Sequence, residues 1–216
     1  MEDLIVDSFE AELRRRGGTL VLRADLASGT SNFTEFLRRA RAVGAEAIYA
    51  ATQGDNACAA RAQMKGIFPD EANFLGYDGI YSPDCIAAAA NNAEGMIVTG
   101  TDVDPTHSGP ALKKVVEAYR KAYPKSPDIA PYTFAAYDCA LILIDAIKRA
   151  IDVNGGAIPT RPQVVNAVAH SQFTGVTGSY SFDANGDASS LLISIYRVQN
   201  GRWVYLKQVD ANARQS

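Results

Sequence analysis

The sequence of 216 residues predicts an α/β protein, built from a parallel sheet with helices between its strands. Short apolar segments alternate with amphipathic segments over the first hundred residues, which is typical of strand–helix–strand crossover units. Residues 102–170 show helical periodicity without strands between the helices. Near the C-terminus, Asn185-Gly186 and Asn200-Gly201 separate strand-like segments, and Asn-Gly favours a hairpin because both residues accept positive φ angles. We therefore expect an α/β block, then helices, then β-hairpins.

The chain begins with a predicted amphipathic helix over residues 2–16. Its apolar residues Ile5, Phe9 and Leu13 recur at four-residue spacing, which places them on one face. Gly17 and Gly18 end this helix. Residues 19–26 predict a strand, and Ser31 is expected to cap the next helix, which runs to about Gly44.

The same alternation then repeats. Strands are predicted at residues 46–51, 73–77 and 94–101. Asp55 is expected to cap a helix that runs to about Lys65, and residues 83–90 predict a short helix. These segments complete the predicted parallel sheet.

The helical block begins after a polar loop at residues 102–109. Pro110 suits the first turn of a helix. Residues 132–151 predict a longer helix, which should be buried because its apolar residues lie on nearly all sides. Thr160 and Gln163 form a capping box that opens a third helix.

The last part of the chain predicts strands only. Residues 178–182 and 190–198 should pair around Asn185-Gly186, and a second hairpin should follow at Asn200-Gly201. The loop Asp183-Ala-Asn-Gly-Asp187 lacks the spacing of a calcium-binding loop, so we interpret it as a hairpin turn.

The overall composition bounds the function. The chain is 47% hydrophobic and carries a formal net charge of −3, without the clustered basic face that nucleic-acid binding requires. No run of about 20 apolar residues predicts a bilayer span. The N-terminal residues carry no basic segment followed by an apolar run, so no signal peptide is expected in this chain.

The reactive residue types give no support for an enzyme or a cofactor. The sequence has no CxxC pair, no Walker or G-x-G-x-x-G motif and no G-x-S-x-G elbow, and His107 and His170 form no recognisable catalytic pattern. Cys58 and Cys139 lie in Ala-rich helical segments and are expected to pack as small apolar side chains. A Cys58–Cys85 disulfide is the alternative.

Four groups of residues, in their order and spacing, resemble the type I periplasmic solute-binding proteins of the branched-chain amino-acid (Leu/Ile/Val-binding-like) family. The groups are Gly76-Tyr-Asp-Gly79, Glu94-Gly-Met-Ile-Val-Thr99, Tyr132-Thr-Phe-Ala-Ala-Tyr-Asp138, and Phe173-Thr-Gly-Val-Thr-Gly178 followed by Phe182 to Asp187. The resemblance implies two α/β lobes with a ligand cleft between them. It assigns residues 1–101 and 171–216 to the second lobe and residues 102–170 to a helical return into the first, and it implies that an N-terminal portion is missing.

The resemblance also implies the function. We expect extracytoplasmic binding of a small solute, an amino acid or a related molecule, for delivery to the membrane permease of an ABC importer. The alternative is a ligand-sensing domain of a receptor or regulator with the same fold. The expected location is the periplasm or the cell exterior, with no enzymatic activity and no cofactor.

The residues expected to bind the ligand follow predicted strand ends or match the family's cleft. Asp78 would accept the ligand ammonium, with an ordinary Asp-Gly turn as the alternative interpretation. Phe134 would cover an apolar ligand tail, or it is a core residue. Ala51, Thr52 and Gln53 match a loop that reaches the cleft, and Tyr77 and Tyr81 flank the Asp78 turn.

The resemblance places the groups that bind the ligand carboxylate on the first lobe, outside this sequence, so the chain is expected to hold half a site. It should also leave the apolar faces of helices 110–122 and 133–151 uncovered. Exposed apolar faces favour association, so a homo-oligomer is expected.

Overall fold

The computed structural model describes residues 2–27, 29–52, 54, 56–101, 103, 109–125, 129 and 132–211. The helices are α1 (Glu2–Arg15), α2 (Thr34–Ala42), α3 (Asn56–Gln63), α4 (Pro83–Ala89), α5 (Pro110–Ala122), α6 (Thr133–Val153) and α7 (Arg161–Ala169). The strands are β1 (Ala47–Ala50), β2 (Asn73–Tyr77), β3 (Ile97–Gly100), β4 (Phe173–Thr174), β5 (Ser179–Tyr180), β6 (Leu192–Gln199) and β7 (Arg202–Asp210). Single 3-10 turns span Asp78–Ile80 and Ala90–Asn92.

The chain forms two compact units. Unit 1 comprises Met1–Gly100 and Ile195–Lys207, and unit 2 comprises Thr101–Ser194 and Gln208–Ser216. The first boundary lies next to the change of pattern after residue 101. Residues 171–194, which the resemblance groups with the first hundred residues, are part of unit 2, because Val176 and Thr177 are bound to Asp138 on α6.

The main sheet has the strand order β1-β2-β3-β6-β7. β1 pairs in parallel with β2, from Ala47 opposite Asn73 to Ala50 opposite Gly76, and β2 pairs in parallel with β3. This confirms the predicted parallel sheet. Asn200 and Gly201 join β6 to β7 with φ angles of 53° and 69°, which confirms the hairpin predicted there.

The core of unit 1 forms where α2, α3 and α4 cover the sheet. Phe74 and Val98 on neighbouring strands are buried, as are Leu37 on α2 and Met64 just after α3. Ile80, in the turn after β2, is also fully buried. This core therefore extends to the end of the sheet at which β2 finishes.

The three cysteines differ from the expectation. Cys58 on α3 and Cys85 on α4 form a disulfide, so the expectation of Cys58 as an unpaired apolar residue was wrong and the alternative pairing is the observed one. The physical reason is that α3 packs against α4 and brings the two Cα atoms to 5.3 Å, within the range that a disulfide spans. Cys139 on α6 is exposed rather than packed in a core.

Unit 2 contains α5, α6 and α7 and the short antiparallel pair β4–β5. The described part of residues 102–170 is helical, as predicted, and Thr160 donates its backbone N–H to the Gln163 side chain in the predicted capping box. The core of this unit joins Leu112 and Val116 of α5 to Phe134 of α6.

Helix α6 is buried on one face only. Its buried positions recur every four residues, from Phe134 to Ala150, whereas Leu143, Ile144 and Ile147 are 49%, 62% and 41% exposed. The expectation of a helix buried on all sides was therefore wrong. Apolar residues are buried only where another element covers them, and the described elements cover only one face of α6.

Two predicted N-terminal features also differ. Residues 19–26 are not a strand, because no described strand pairs with them and an unpaired segment has no ladder of hydrogen bonds. Ser31 does not cap α2, which begins at Thr34. Gln63 accepts the Phe33 N–H at 2.7 Å instead. The predicted cap Asp55 lies outside the described residues, as do His107 and most of loop 102–109.

The hairpin predicted around Asn185-Gly186 is only partly present. Phe182 and Ala188 form an isolated antiparallel bridge across the turn. Ser179 and Tyr180 pair instead with Phe173 and Thr174, because the turn between them is held by Asp138 of α6. Residues 178–182 therefore do not pair with β6 as a continuous strand.

Candidate functional site

The candidate site lies in unit 1, where β1 and β2 end. Ala50 and Gly76 are opposite each other in the parallel register, so the segments after these two strands leave the sheet at the same edge. Ala51 and Thr52 follow β1, and Asp78 opens the 3-10 turn after β2. In open parallel sheets, ligands bind beyond the carboxyl ends of the strands.

The two segments contact each other directly. The Gly54 N–H donates to the carbonyl oxygen of Gly79 at 3.0 Å. A Cβ atom on Gly79 would lie 2.7 Å from the Thr52 carbonyl oxygen and 2.8 Å from Cζ of Tyr77. Gly79 is therefore required by close approach rather than by a turn conformation. Two loops that are distant in sequence are held as one surface.

Gly76 is required for a similar reason. A Cβ atom there would overlap the side chain of Ile80 and lie 3.3 Å from the carbonyl oxygen of Ala50. Both glycines of the Gly-Tyr-Asp-Gly group thus allow close packing at the sheet edge. The group places the half-buried Asp78 at this edge, with a carboxylate that can accept hydrogen bonds from a cation.

Tyr49 is a neighbour of Asp78 that the sequence did not indicate. Burial raises the pKa of its phenol above the ordinary value of 10.0, and the nearby Tyr77 and Asp78 raise the pKa further. Its ring stacks on Phe9 of α1, with ring centroids 4.1 Å apart. Tyr49 lies inside a short apolar strand, so its sequence pattern predicts a core residue rather than a neighbour of the site.

The sequence-predicted residues divide into two groups. Ala51, Thr52, Tyr77 and Asp78 are half-buried and lie together at the ends of β1 and β2. The ring of Tyr81 stacks on Tyr196, with centroids 4.5 Å apart, and meets the edge of Trp203. Tyr81 is therefore also part of an aromatic cluster between the turn and strands β6 and β7.

Phe134 and Gln53 complete the predicted set. Phe134 belongs to unit 2, where it is 7% exposed and packs in the core with Leu112 and Val116. This position agrees with the core interpretation of Phe134, and its contact with a ligand stays a prediction. Gln53 lies outside the described residues.

Unit 2 has a polar anchor that links two of the residue groups on which the family resemblance rests. Asp138 is only 2% exposed and accepts the backbone N–H of Val176 at 2.9 Å and of Thr177 at 2.8 Å. It also accepts the Thr177 hydroxyl. A Cβ atom on Gly175 would overlap the Asp138 carboxylate. Asp138 therefore holds the turn between β4 and β5 against α6.

This turn borders a shallow depression of about 380 Å³. The start of α5, from Gly109 to Leu112, forms one wall, and residues Gly175 to Gly178 form another. The polar groups of Asp138 and Thr177 are bound to each other, so the depression offers backbone and apolar surface rather than a free charge.

Two further types of site are absent from the part of the chain that the structure describes. It contains no group of three or more His, Cys, Asp or Glu side chains placed to hold a metal ion. None of its helices combines the length and the apolar character needed to cross a membrane.

Comparisons with known proteins give relatives over nearly the whole chain. The Leu/Ile/Val-binding protein homolog 3 of Brucella melitensis biotype 1 is 24% identical over 208 residues, which are 94% of this chain and 52% of the relative. The structure of a leucine-binding protein from Thermotoga maritima is 27% identical, with a TM-score of 0.81 over 96% of this chain and 57% of that chain.

A third similar structure is a solute-binding protein of an ABC transporter from Rhodopseudomonas palustris, in complex with p-hydroxybenzoic acid. It is 17% identical with a TM-score of 0.75, over 95% of this chain and 56% of that chain. The chain thus spans about half the length of the relatives it matches. These structures confirm the type I periplasmic-binding-protein fold.

A family model described as periplasmic binding protein matches residues 3–202, which is nearly the whole sequence. The match confirms the family resemblance that the residue groups around Asp78 and Asp138 indicated. This chain belongs to the periplasmic binding protein family.

Proposed function

We propose that this chain contributes one side of the ligand site in a solute-binding protein that delivers an amino acid or a related small molecule to the membrane permease of an ABC importer. The family and the leucine-binding relatives support this function. Since the chain spans about half the length of those relatives, the proposal concerns the whole protein.

The observation that carries the proposal is the position of Asp78. Its turn leaves the carboxyl end of a parallel strand, beside Thr52 and Tyr77. A half-buried carboxylate at this edge offers a charge-assisted hydrogen bond to an ammonium group. The same carboxylate repels a ligand whose only charge is negative. Asp78 therefore favours an α-amino acid over the corresponding simple acid.

Ala51, Thr52 and Tyr77 are the other residues to which we assign ligand contact. The small side chain of Ala51 leaves room at the edge of the sheet, and Thr52 carries a hydroxyl group, whereas the hydroxyl of Tyr77 is buried beside Gly79 and Tyr77 would offer its ring. Gln53 follows directly in the same segment. Tyr81 would contribute ring surface, and its ring already packs on Tyr196.

The disulfide supports a location outside the cytoplasm. Disulfides persist in oxidising compartments such as the periplasm, and the Cys58–Cys85 pair is fully buried in the core of unit 1. We therefore propose the periplasm or the cell exterior as the site of action, in agreement with the family.

The experiment compares two ligands that differ by one group. Leucine and 4-methylpentanoate share the carboxylate and the branched tail, and only leucine carries an ammonium. Binding is measured by calorimetry and by thermal shift, since a ligand that binds the folded state stabilises it, and a tighter ligand at the same concentration stabilises it more. Benzoate and 4-hydroxybenzoate are included as aromatic acids. We expect leucine to bind more tightly than its deaminated analogue.

The matched variants are Asp78→Asn and Asp84→Asn. Asp84 is an exposed acid on the first turn of α4, in the same unit. A hydrogen bond to a charged group contributes about 1.5–3 kcal/mol, so Asp78→Asn should weaken amino-acid binding roughly 10- to 100-fold. Asp84→Asn should leave it unchanged. Equal affinities in the two variants, or tighter binding of the simple acid by the wild type, would refute the role of Asp78.

A further inference from the structure

The Cys58–Cys85 disulfide joins the two helices that follow the loops of the candidate site. Cys58 is the third residue of α3, and Cys85 is the third residue of α4. The loop after β1 leads into α3, and the turn after β2 leads into α4. The disulfide therefore joins the first turns of the two helices, which are the turns that directly follow the site loops.

Helix α4 is anchored to the sheet without the disulfide. Ser82 precedes α4, and its hydroxyl accepts the Cys85 N–H at 2.9 Å. The carbonyl oxygen of Ser82 accepts the indole N–H of Trp203 on β7 at 2.9 Å. The start of α4, and with it the Asp78 turn, is thus fixed to β7 of the same sheet.

Helix α3 is anchored differently at its two ends. Near its end, the Arg61 guanidinium donates to the carbonyl oxygens of Ala72 at 2.9 Å and Asn92 at 2.8 Å. At its start, the disulfide from Cys58 ties the first turn to α4. Removing the disulfide therefore leaves the start of α3 held by packing alone, while the hydrogen bonds of Arg61 still hold the other end.

We propose that the Cys58–Cys85 disulfide is a positioning element of the ligand site, which holds the loop after β1 against the Asp78 turn by fixing the first turn of α3 to the anchored α4. The contact that it protects is the hydrogen bond from the Gly54 N–H to the Gly79 carbonyl oxygen. This bond lies four residues before Cys58. The disulfide also stabilises unit 1 as a whole. The proposal is that it raises the free energy of local opening of this loop more than it raises the free energy of unfolding of the unit.

The consequence for binding rests on the function proposed above. Thr52 contacts Gly79 only while the two loops remain together, and a ligand bound by Asp78 needs the neighbouring loop in place. Without the disulfide, binding must order the loop after β1, and the cost of that ordering lowers the affinity.

The experiment measures amide hydrogen exchange, which reports the free energy of local opening at each residue. The variants are Cys58→Ala/Cys85→Ala and, to refill the volume of the lost sulfurs, Cys58→Val/Cys85→Ala. The reporter is the Gly54 amide. The reference is the Val198 amide, which donates to Met96 inside the sheet and follows the opening of the unit as a whole. The Tyr81 amide, which donates to the backbone carbonyl oxygen of Asp78, reports the anchored turn.

Two control variants separate position from stability. Arg61→Ala weakens the other end of α3 and should speed exchange at Gly54 and Val198 by the same factor. Cys139→Ala removes an exposed thiol of unit 2 and should change neither amide. Leucine affinity, measured well below the melting temperature of each variant, should fall in the two disulfide variants and stay unchanged in Arg61→Ala.

The proposal requires that exchange at Gly54 speeds up by about tenfold or more relative to Val198 in both disulfide variants, with a smaller change at Tyr81. Equal acceleration at Gly54 and Val198, or none at Gly54, would overturn it. The exchange at Gly54 needs no ligand, so it decides whether the disulfide positions the loop even if the wild type binds nothing in the panel, a result that bears only on the proposed function and agrees with half a site in this chain.

Discussion

Replacing Asp138 tests how unit 2 holds the turn between β4 and β5. In Asp138→Ala, the backbone N–H groups of Val176 and Thr177 lose the acceptor that they share. Thr177 is buried, and a buried donor left without a partner costs about 1–3 kcal/mol; Val176 is half-buried and adds less, so the predicted loss in the free energy of unfolding is at least about 1–3 kcal/mol. This is a substantial part of the stability of an average domain, which is about 5–15 kcal/mol.

Urea denaturation followed by far-ultraviolet circular dichroism measures this loss, and amide exchange at Val176 and Thr177 locates it. The control is Asp145→Ala on the same helix, whose exposed ion pair with Arg149 contributes at most about 1 kcal/mol. Asp138→Ala should also speed exchange at both amides far more than Asp145→Ala does. A loss below about 1 kcal/mol would refute the reasoning, because the two donors would then have found other partners.

Three other perturbations have definite expected results. Tyr49→Phe should reduce the loss of stability at alkaline pH. Because the pKa of Tyr49 is raised in the folded state, its contribution to stability is present below pH 10 and is lost as the pH rises above 10. Denaturation at a series of pH values across this range measures the difference between the variant and the wild type. Gly79→Ala should lower the free energy of unfolding by about 1–3 kcal/mol, since its Cβ would meet the Thr52 carbonyl oxygen; urea denaturation measures this loss, and an unchanged stability would contradict the close approach. The isolated chain should self-associate, as measured by light scattering, and polar substitution of the exposed apolar row on α6 should abolish the association. Val165→Gln, which changes an exposed residue of α7, should leave the association unchanged. A strictly monomeric wild type would contradict the prediction. The row consists of Leu143, Ile144 and Ile147.

The elements that the sequence predicted well depend on local patterns. The strands β1, β2 and β3 are short and largely apolar segments, and the helices between them have one apolar face. The turn at Asn200-Gly201 depends only on the φ angles that these two residues accept. Such features require no knowledge of distant parts of the chain.

The features that the sequence did not predict depend on distant partners. Residues 19–26 have the pattern of a strand, and a strand also needs a neighbour with which to pair. The apolar residues of α6 indicate that another element can pack on any of its faces, but they do not show which faces another element actually covers. Cys58 and Cys85 are separated by 27 residues, and only the packing of α3 against α4 brings them within bonding distance.

The candidate site shows the same division. Asp78 was predicted because the Gly76-Tyr-Asp-Gly79 group resembles a turn that supplies an acidic ligand contact in the family, and because it follows the end of a parallel strand, where ligand sites form. Tyr49 was missed because its place beside Asp78 follows from the pairing of β1 with β2 and not from its own neighbours in sequence.

The glycines of the site connect these two kinds of information. Gly79 has no need of a positive φ angle, and the reason for its presence is the Thr52 carbonyl oxygen, which belongs to another loop. A glycine after a strand can therefore indicate a loop that arrives from elsewhere in the chain. Because that approach leaves no space for a side chain, the geometry around Asp78 depends on backbone contacts, and substitutions that separate the two loops should affect binding even where they do not touch the ligand.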